Sequence, residues 1–299
     1  MTSISFDPIA HVYDTLRGYP ETVTQQIVTA MDTAVEGTPQ TRLLEIGVGT
    51  GRFAFPFASL GRHYTGIDIS QKMLDRFEEK LRAAHWQEES LAWGSLPDED
   101  KTRTLNVQRF VSPNKLATMR LVIADMTALP FHDASFDAVI ASHVFHLVSE
   151  WQQALKEVRR ILRPGGVLVR CWNEQWNNRW KPDAPTIRGQ WSRIVQELGG
   201  STRHPGTSEQ EVTAWLQAQG METEQQEVLV WQQTLTPRVL FESIARRQWT
   251  SASVVPEPIF STALERLRQW LDNHYGATAL DEPFIEEQHV IIGKTHMKR

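Results

Sequence analysis

The chain is poor in cysteine, in long apolar runs and in clustered positive charge. Its one cysteine, Cys171, leaves no intrachain disulfide available, and the setting V-L-V-R-C-W reads as a buried, inert thiol within a strand. No apolar stretch reaches the roughly 18 residues that signal a membrane-spanning helix. Met1 to Pro8 lacks the basic start and apolar stretch of a secretory leader. Lysine and arginine are scattered, and the net charge is -5. That distribution lacks the basic footprint of a nucleic-acid or acidic-membrane partner. No set of Cys, His, Asp and Glu has metal-ligand spacing. These absences predict a cytoplasmic protein with no metal, membrane or nucleic-acid partner, and they leave its oligomeric state open.

What is present is an ordinary globular composition, 40% hydrophobic, with tryptophan in excess. Most of the 11 tryptophans fall in the second half. Core packing accounts for many, and tryptophan also lines pockets for flat or cationic ligands. Trp172, Trp176 and Trp180 recur every four residues and, with Trp191, could form an aromatic wall, although Trp172 reads as a strand end.

The most informative stretch is L-L-E-I-G-V-G-T-G, Leu43 to Gly51. A buried strand runs into Gly47, Gly49 and Gly51, and an apolar segment follows as a helix. Glycine tolerates φ > 0 and close ligand approach, while a helix start presents unpaired N–H groups. The dinucleotide fingerprint G-x-G-x-x-G needs a glycine where Arg52 stands, which disfavours a nicotinamide oxidoreductase. The spacing, with Glu45 two residues ahead, instead resembles motif I of the class I S-adenosylmethionine-dependent methyltransferases.

Strand and helix patterns alternate through the first half, predicting a parallel sheet with helices on both faces. Strands are predicted at Arg42 to Ile46, His63 to Ile67, Arg120 to Ala124, Phe136 to Ala141 and Gly166 to Trp172. Helices are predicted at Glu21 to Val35, Gly51 to Leu60, Ser70 to Ala84 and Glu150 to Leu162. Residues 85–118 break the alternation and read as a surface insertion. Beyond Asn173 the pattern is mostly helical, with extended stretches at Glu224 to Thr234 and Glu287 to Thr295. Three parts are expected: an N-terminal helical cap over 1–40, a cofactor-binding core over 41–172, and a C-terminal part over 173–299. The last would complete the sheet and add helices on the substrate side.

Asp68, in G-I-D-I-S, ends the second strand at the position where doubly wound folds bond a ribose diol; Ile69 follows it. A carboxylate there disfavours a 2′-phosphate. Two further blocks follow: A-D-M-T-A-L-P-F-H-D-A-S-F-D-A-V-I-A-S-H-V-F-H-L and A-L-K-E-V-R-R-I-L-R-P-G-G-V-L-V. In this order, the blocks resemble the UbiE-like and type 11 methyltransferases over Leu43 to Val169. The resemblance implies a Rossmann-like, doubly wound α/β fold: a mostly parallel seven-stranded sheet with an antiparallel last strand and added helices.

It also implies S-adenosylmethionine as cofactor and a methyl group passed to O, C or N of a small-molecule acceptor. The alternative is a protein that binds S-adenosylmethionine or S-adenosylhomocysteine without catalysis. Carried over by position, Asp125 bonds the adenine amino group and Met126 packs on the ring. Ser142 and His143 back the methionine moiety, Glu45 bonds loop amides or the cofactor's amino group, and Thr50 and Arg52 add polar contacts. F-D-P-I-A-H-V-Y-D-T-L-R-G-Y-P resembles a segment that folds over bound cofactor, making Tyr13 and Arg17 contacts, Arg17 for the carboxylate. His143 and His146, past the fourth strand, are candidate general bases. No Asp/Asn-Pro-Pro-Tyr/Phe sequence follows that strand, which points away from nucleic-acid and protein nitrogens.

Overall fold

The computed structural model describes residues 6–89, 107–175 and 186–297. The chain divides into two compact units. The first comprises Met1–Trp172, Pro205–Leu229 and Val290–Arg299, and the second Asn173–His204 and Val230–His289.

Nine strands form one sheet: β1 Arg42–Ile46, β2 His63–Asp68, β3 Gln87–Glu89, β4 Val107–Val111, β5 Thr118–Ile123, β6 Phe136–Ser142, β7 Leu162–Gln175, β8 Glu222–Leu235 and β9 Phe284–His296. Their order is β3-β4-β5-β2-β1-β6-β7-β9-β8. β1 pairs parallel with β2 and β6, β2 with β5, and β6 with β7. The order therefore reverses between β1 and β6, the crevice where open α/β sheets bind ligands. β1 is apolar apart from Arg42 and Glu45, as a strand covered on both faces must be. Thr223 bonds Thr295, and Gln232 bonds Glu287. These contacts run in opposite chain directions, so β8 and β9 are antiparallel.

The sheet has two strands beyond the seven expected. β3 and β4 form an antiparallel pair added outside β5, also antiparallel to it. Both lie within the expected insertion, whose residues 90–106 are outside the described residues. Neither short strand carries a local pattern strong enough to announce a pairing made across such a gap.

In the first unit, α1 Tyr13–Arg17 and α2 Glu21–Val35 precede the sheet, and α3 Ala54–Ser59, α4 Gln71–Ala83 and α5 Trp151–Ile161 connect its strands. Ser70 caps α4 by accepting from Met73 N–H at 3.1 Å. α5 turns Ala154, Leu155, Val158 and Ile161 into a core shared with Leu44, Val139 and Phe145. α3 starts three residues later than predicted because Gly51, at φ +77°, cannot be helical.

The second unit carries the helices Ile187–Glu197, Pro237–Ala245, Thr250–Ser253 and Glu257–Ala279. Its core is Trp191, Ile194, Leu240, Phe260, Leu267 and Leu271 with their neighbours. Trp172 lies in β7 rather than on a helix with Trp176 and Trp180, which are outside the described residues.

Candidate active site

The site is built at the reversal of strand order. After β1 the chain turns through Gly47 at φ +71°, Gly49 at +57° and Gly51 at +77°, all left-handed. A side chain at Gly47 would bring its Cβ to 2.7 Å from Val144 Cγ2, and one at Gly51 would overlap the Phe77 ring. The turn is fastened by Val48 N–H donating to Ile67 O at 2.9 Å and Gly51 N–H donating to Val48 O at 3.0 Å. The backbone is thereby laid along the floor of a pocket of about 820 Å³, mouth included.

Three carboxylates line this pocket. Asp68, at the end of β2, accepts from Gly49 N–H at 2.9 Å and Ser70 N–H at 2.8 Å. Burial raises its pKa, and those backbone donors oppose the rise. Asp125, just beyond β5, accepts from the Thr127 amide and hydroxyl through Oδ1, each at 2.8 Å. Its Oδ2 makes no hydrogen bond among the described residues. Glu45 is 2% exposed and accepts from the Tyr64 hydroxyl at 2.9 Å. Burial pushes the Glu45 pKa up to about 8, well past the opposing effects of Tyr64 and Arg52. Ser142, at the end of β6, has a buried hydroxyl that makes no full hydrogen bond among the described residues, with the Cys171 thiol its neighbour.

The N-terminal segment closes over these groups. Phe6 and Tyr13 line the pocket and meet edge to face, ring centroids 5.5 Å apart. Asp7 accepts from the Ser70 hydroxyl, and Asp14 accepts from the Thr50 hydroxyl at 2.5 Å. Lys80 completes the fastening, 2.6 Å from Asp14 and donating to Thr50 O at 2.8 Å. Arg52 donates to Arg17 O at 2.8 Å, and its guanidinium lies 5.1 Å from the ring centroids of both Tyr19 and Phe53. His143 adopts φ +52°, uncommon for a side chain of its size, and its Nε2 lies 3.1 Å from the Tyr19 hydroxyl. Enclosure holds its pKa well below the usual imidazole range, reinforced by Arg52, His146 and Arg17.

Of the residues expected from sequence, Tyr13, Glu45, Gly47, Gly49, Thr50 and Arg52 line this one pocket. So do Asp68, Ile69, Asp125, Met126, Ser142 and His143. Gly51, Arg17 and His146 do not: Gly51 shapes the turn, Arg17 supplies its carbonyl to Arg52, and His146 lies on a one-turn helix beside the pocket. Sequence reasoning missed Phe6, Phe53, Val144 and Leu147 in the lining, and Tyr19 behind it. Phe6 and Tyr19 both stood within the segment singled out, but nothing local ties Tyr19 to a histidine 124 residues away. Among the described residues, no group of three or more His, Cys, Asp and Glu side chains could hold a metal ion.

Residues 44–168 match the family profile of a methyltransferase domain. An uncharacterized methyltransferase of Mycobacterium tuberculosis is 26% identical over 272 residues, covering 91% of this chain and 87% of that protein. A demethylmenaquinone methyltransferase of Renibacterium salmoninarum is 32% identical over 136 residues, 46% of this chain and 43% of its own. The fold is also that of phosphoethanolamine N-methyltransferase 2 of Haemonchus contortus, solved with phosphomonomethylethanolamine and S-adenosylhomocysteine. That match has a TM-score of 0.51 at 16% identity, covering 98% of this chain and 58% of the other.

Proposed function

We propose that the protein is a class I S-adenosylmethionine-dependent methyltransferase, a reading supported by the methyltransferase-domain match over residues 44–168, and that it methylates an oxygen, carbon or nitrogen of a small-molecule acceptor. S-adenosylmethionine is the cofactor; bound, it supplies an electrophilic methyl group on a sulfonium. The reading rests on one observation: Asp68, Asp125, the glycine turn and His143 share a single pocket roofed by Phe6 and Tyr13. A covered pocket of this kind suits a small acceptor, as do the net charge of -5 and the absence of a basic face in the sequence.

The pocket's polar groups fit the cofactor. Asp68 is already held by two backbone donors, so its remaining lone pairs are oriented for a ribose diol. Asp125 Oδ2 is the acceptor for the adenine amino group, with Met126 and Ile69 against the ring. The unsatisfied Ser142 hydroxyl and Glu45 serve the methionine end. Thr50 and Tyr13 complete the polar rim, and the guanidinium of Arg52, or of Arg17 after a modest shift, balances the carboxylate. His143, neutral in its enclosure, takes the acceptor's proton; His146 acts on it through charge.

Incubating the protein with S-adenosylmethionine tritiated at the methyl group and a fractionated cell extract tests this. Label is expected in the low-molecular-weight fraction. The reading fails if label enters protein or nucleic acid. If no label moves while calorimetry shows tight S-adenosylhomocysteine binding, the protein binds the cofactor without transferring its methyl group. An intact site is compatible with that second reading too.

A further inference from the structure

Tyr19 stands on the short link between α1 and α2, and its contact with His143 ties the first turn of the chain to the end of β6. Its ring is held from two sides, by Phe53 at 6.1 Å between centroids and by the Arg52 guanidinium at 5.1 Å. The histidine is equally fixed. Its backbone is left-handed and its N–H donates to Cys171 O at 3.1 Å. With Nε2 engaged by Tyr19, Nδ1 is the ring nitrogen left over. It makes no hydrogen bond among the described residues and is not sealed from the pocket that His143 lines.

We infer that Tyr19 is a positioning residue: its hydroxyl oxygen accepts from His143 Nε2–H and so fixes the tautomer whose lone pair, on Nδ1, faces the methyl-acceptor space. This deepens the proposed function and rests on its reading of His143 as proton acceptor.

The direction of the bond follows from what proton transfer requires. The acceptor's bond to hydrogen breaks, and its electrons form the new bond to the methyl carbon. The proton moves to Nδ1, while the electrons of the broken C–S bond stay on sulfur. Both ring nitrogens then carry hydrogen. A Tyr19 oxygen that accepts from Nε2–H keeps its bond through this change. A Tyr19 that donates would have to rotate its hydroxyl away from the imidazolium in mid-reaction. The charged and titratable groups acting on the ring are Arg52, Arg17 and His146; all three oppose positive charge on it and so keep Nδ1 unprotonated before the acceptor's proton arrives.

The test is the imidazole tautomer, read from long-range hydrogen–nitrogen correlation spectra of protein with ¹⁵N-labelled histidine, with S-adenosylhomocysteine as the probe ligand. The signal is assigned by its loss in His143→Gln. At neutral pH the wild type is expected to show a neutral ring protonated at Nε2. Tyr19→Phe keeps the ring against Arg52 and Phe53 and removes only the hydroxyl. It is expected to lower the ratio of that tautomer to the other about tenfold, the loss of one hydrogen bond, with S-adenosylhomocysteine affinity unchanged within about twofold. A wild-type ring protonated at Nδ1, or a ratio unmoved by Tyr19→Phe, overturns the inference. The wild-type spectrum decides alone if the variant fails to fold. Failure of the wild type to bind S-adenosylhomocysteine would instead overturn the reading of the pocket.

Discussion

The pocket of the first unit and the core of the second are both enclosed, but they are specified in opposite ways. The pocket is made of polar groups whose positions are set by backbone: left-handed glycines, Asp68 braced by two amides, and a histidine in an uncommon conformation. The second unit's core is apolar volume, with Leu267 fully buried, and Trp191 packed edge to face on Phe260 at 5.4 Å. A polar atom within it, Trp191 Nε1, is satisfied by donating to Ser251 O at 3.1 Å. The lesson is that the pocket depends on where atoms point, and the second core on how much space they fill.

That contrast can be broken by substitution. Gly51→Ala should have the largest effect. It forces a left-handed alanine into the Phe77 ring, and we expect about 4 kcal/mol of lost stability and no measurable S-adenosylhomocysteine binding. Survival of binding would show that the turn tolerates a side chain. Leu267→Ala removes a fully buried side chain and should cost about 3 kcal/mol in denaturant unfolding. The fraction that stays folded should bind S-adenosylhomocysteine as before; a loss of affinity would mean that the second core also sets atom positions in the pocket.

Asp68→Asn changes almost no volume, and we expect about 2 kcal/mol, or roughly thirtyfold, weaker S-adenosylhomocysteine binding by calorimetry. Unchanged affinity would reduce Asp68 to a loop brace. The last effect is a gradient with pH, smaller at each step than the losses above, and concerns Glu45, whose carboxyl is raised from 4.5 to about 8 on folding. Between those pH values the folded chain holds a proton that the unfolded chain has lost. Stability from this group therefore falls as pH rises through that window, approaching about 1.4 kcal/mol per pH unit. Glu45→Gln should flatten this decline in unfolding curves taken from pH 5 to 8, and an unaltered slope would place the proton elsewhere.

The same contrast explains what was legible in the sequence. The turn L-L-E-I-G-V-G-T-G carries its own geometry, because three left-handed positions at alternate residues can be read directly from three glycines. Asp68 and Asp125 were legible for a related reason: Asp68 ends β2 and Asp125 stands just past β5, two strands of the parallel core. Tyr19 was not, since its meeting with His143 is decided by how α1 and α2 return over the sheet. Nor was the β3–β4 pair, whose short strands gain their stability from one another across a long gap. His143 was visible as a residue but not as a conformation, because φ +52° is imposed by its surroundings and not announced by its type.

The fastening of the N-terminal segment has a consequence for how the protein is made. Asp7, Asp14 and Tyr19 are synthesised before their partners Ser70, Thr50, Lys80 and His143. The segment can fasten to Ser70, Thr50 and Lys80 as soon as α4 has been made, whereas Tyr19 must wait for the chain to pass β6. Of these fastenings, Tyr19 to His143 is thus the last that a growing chain can make.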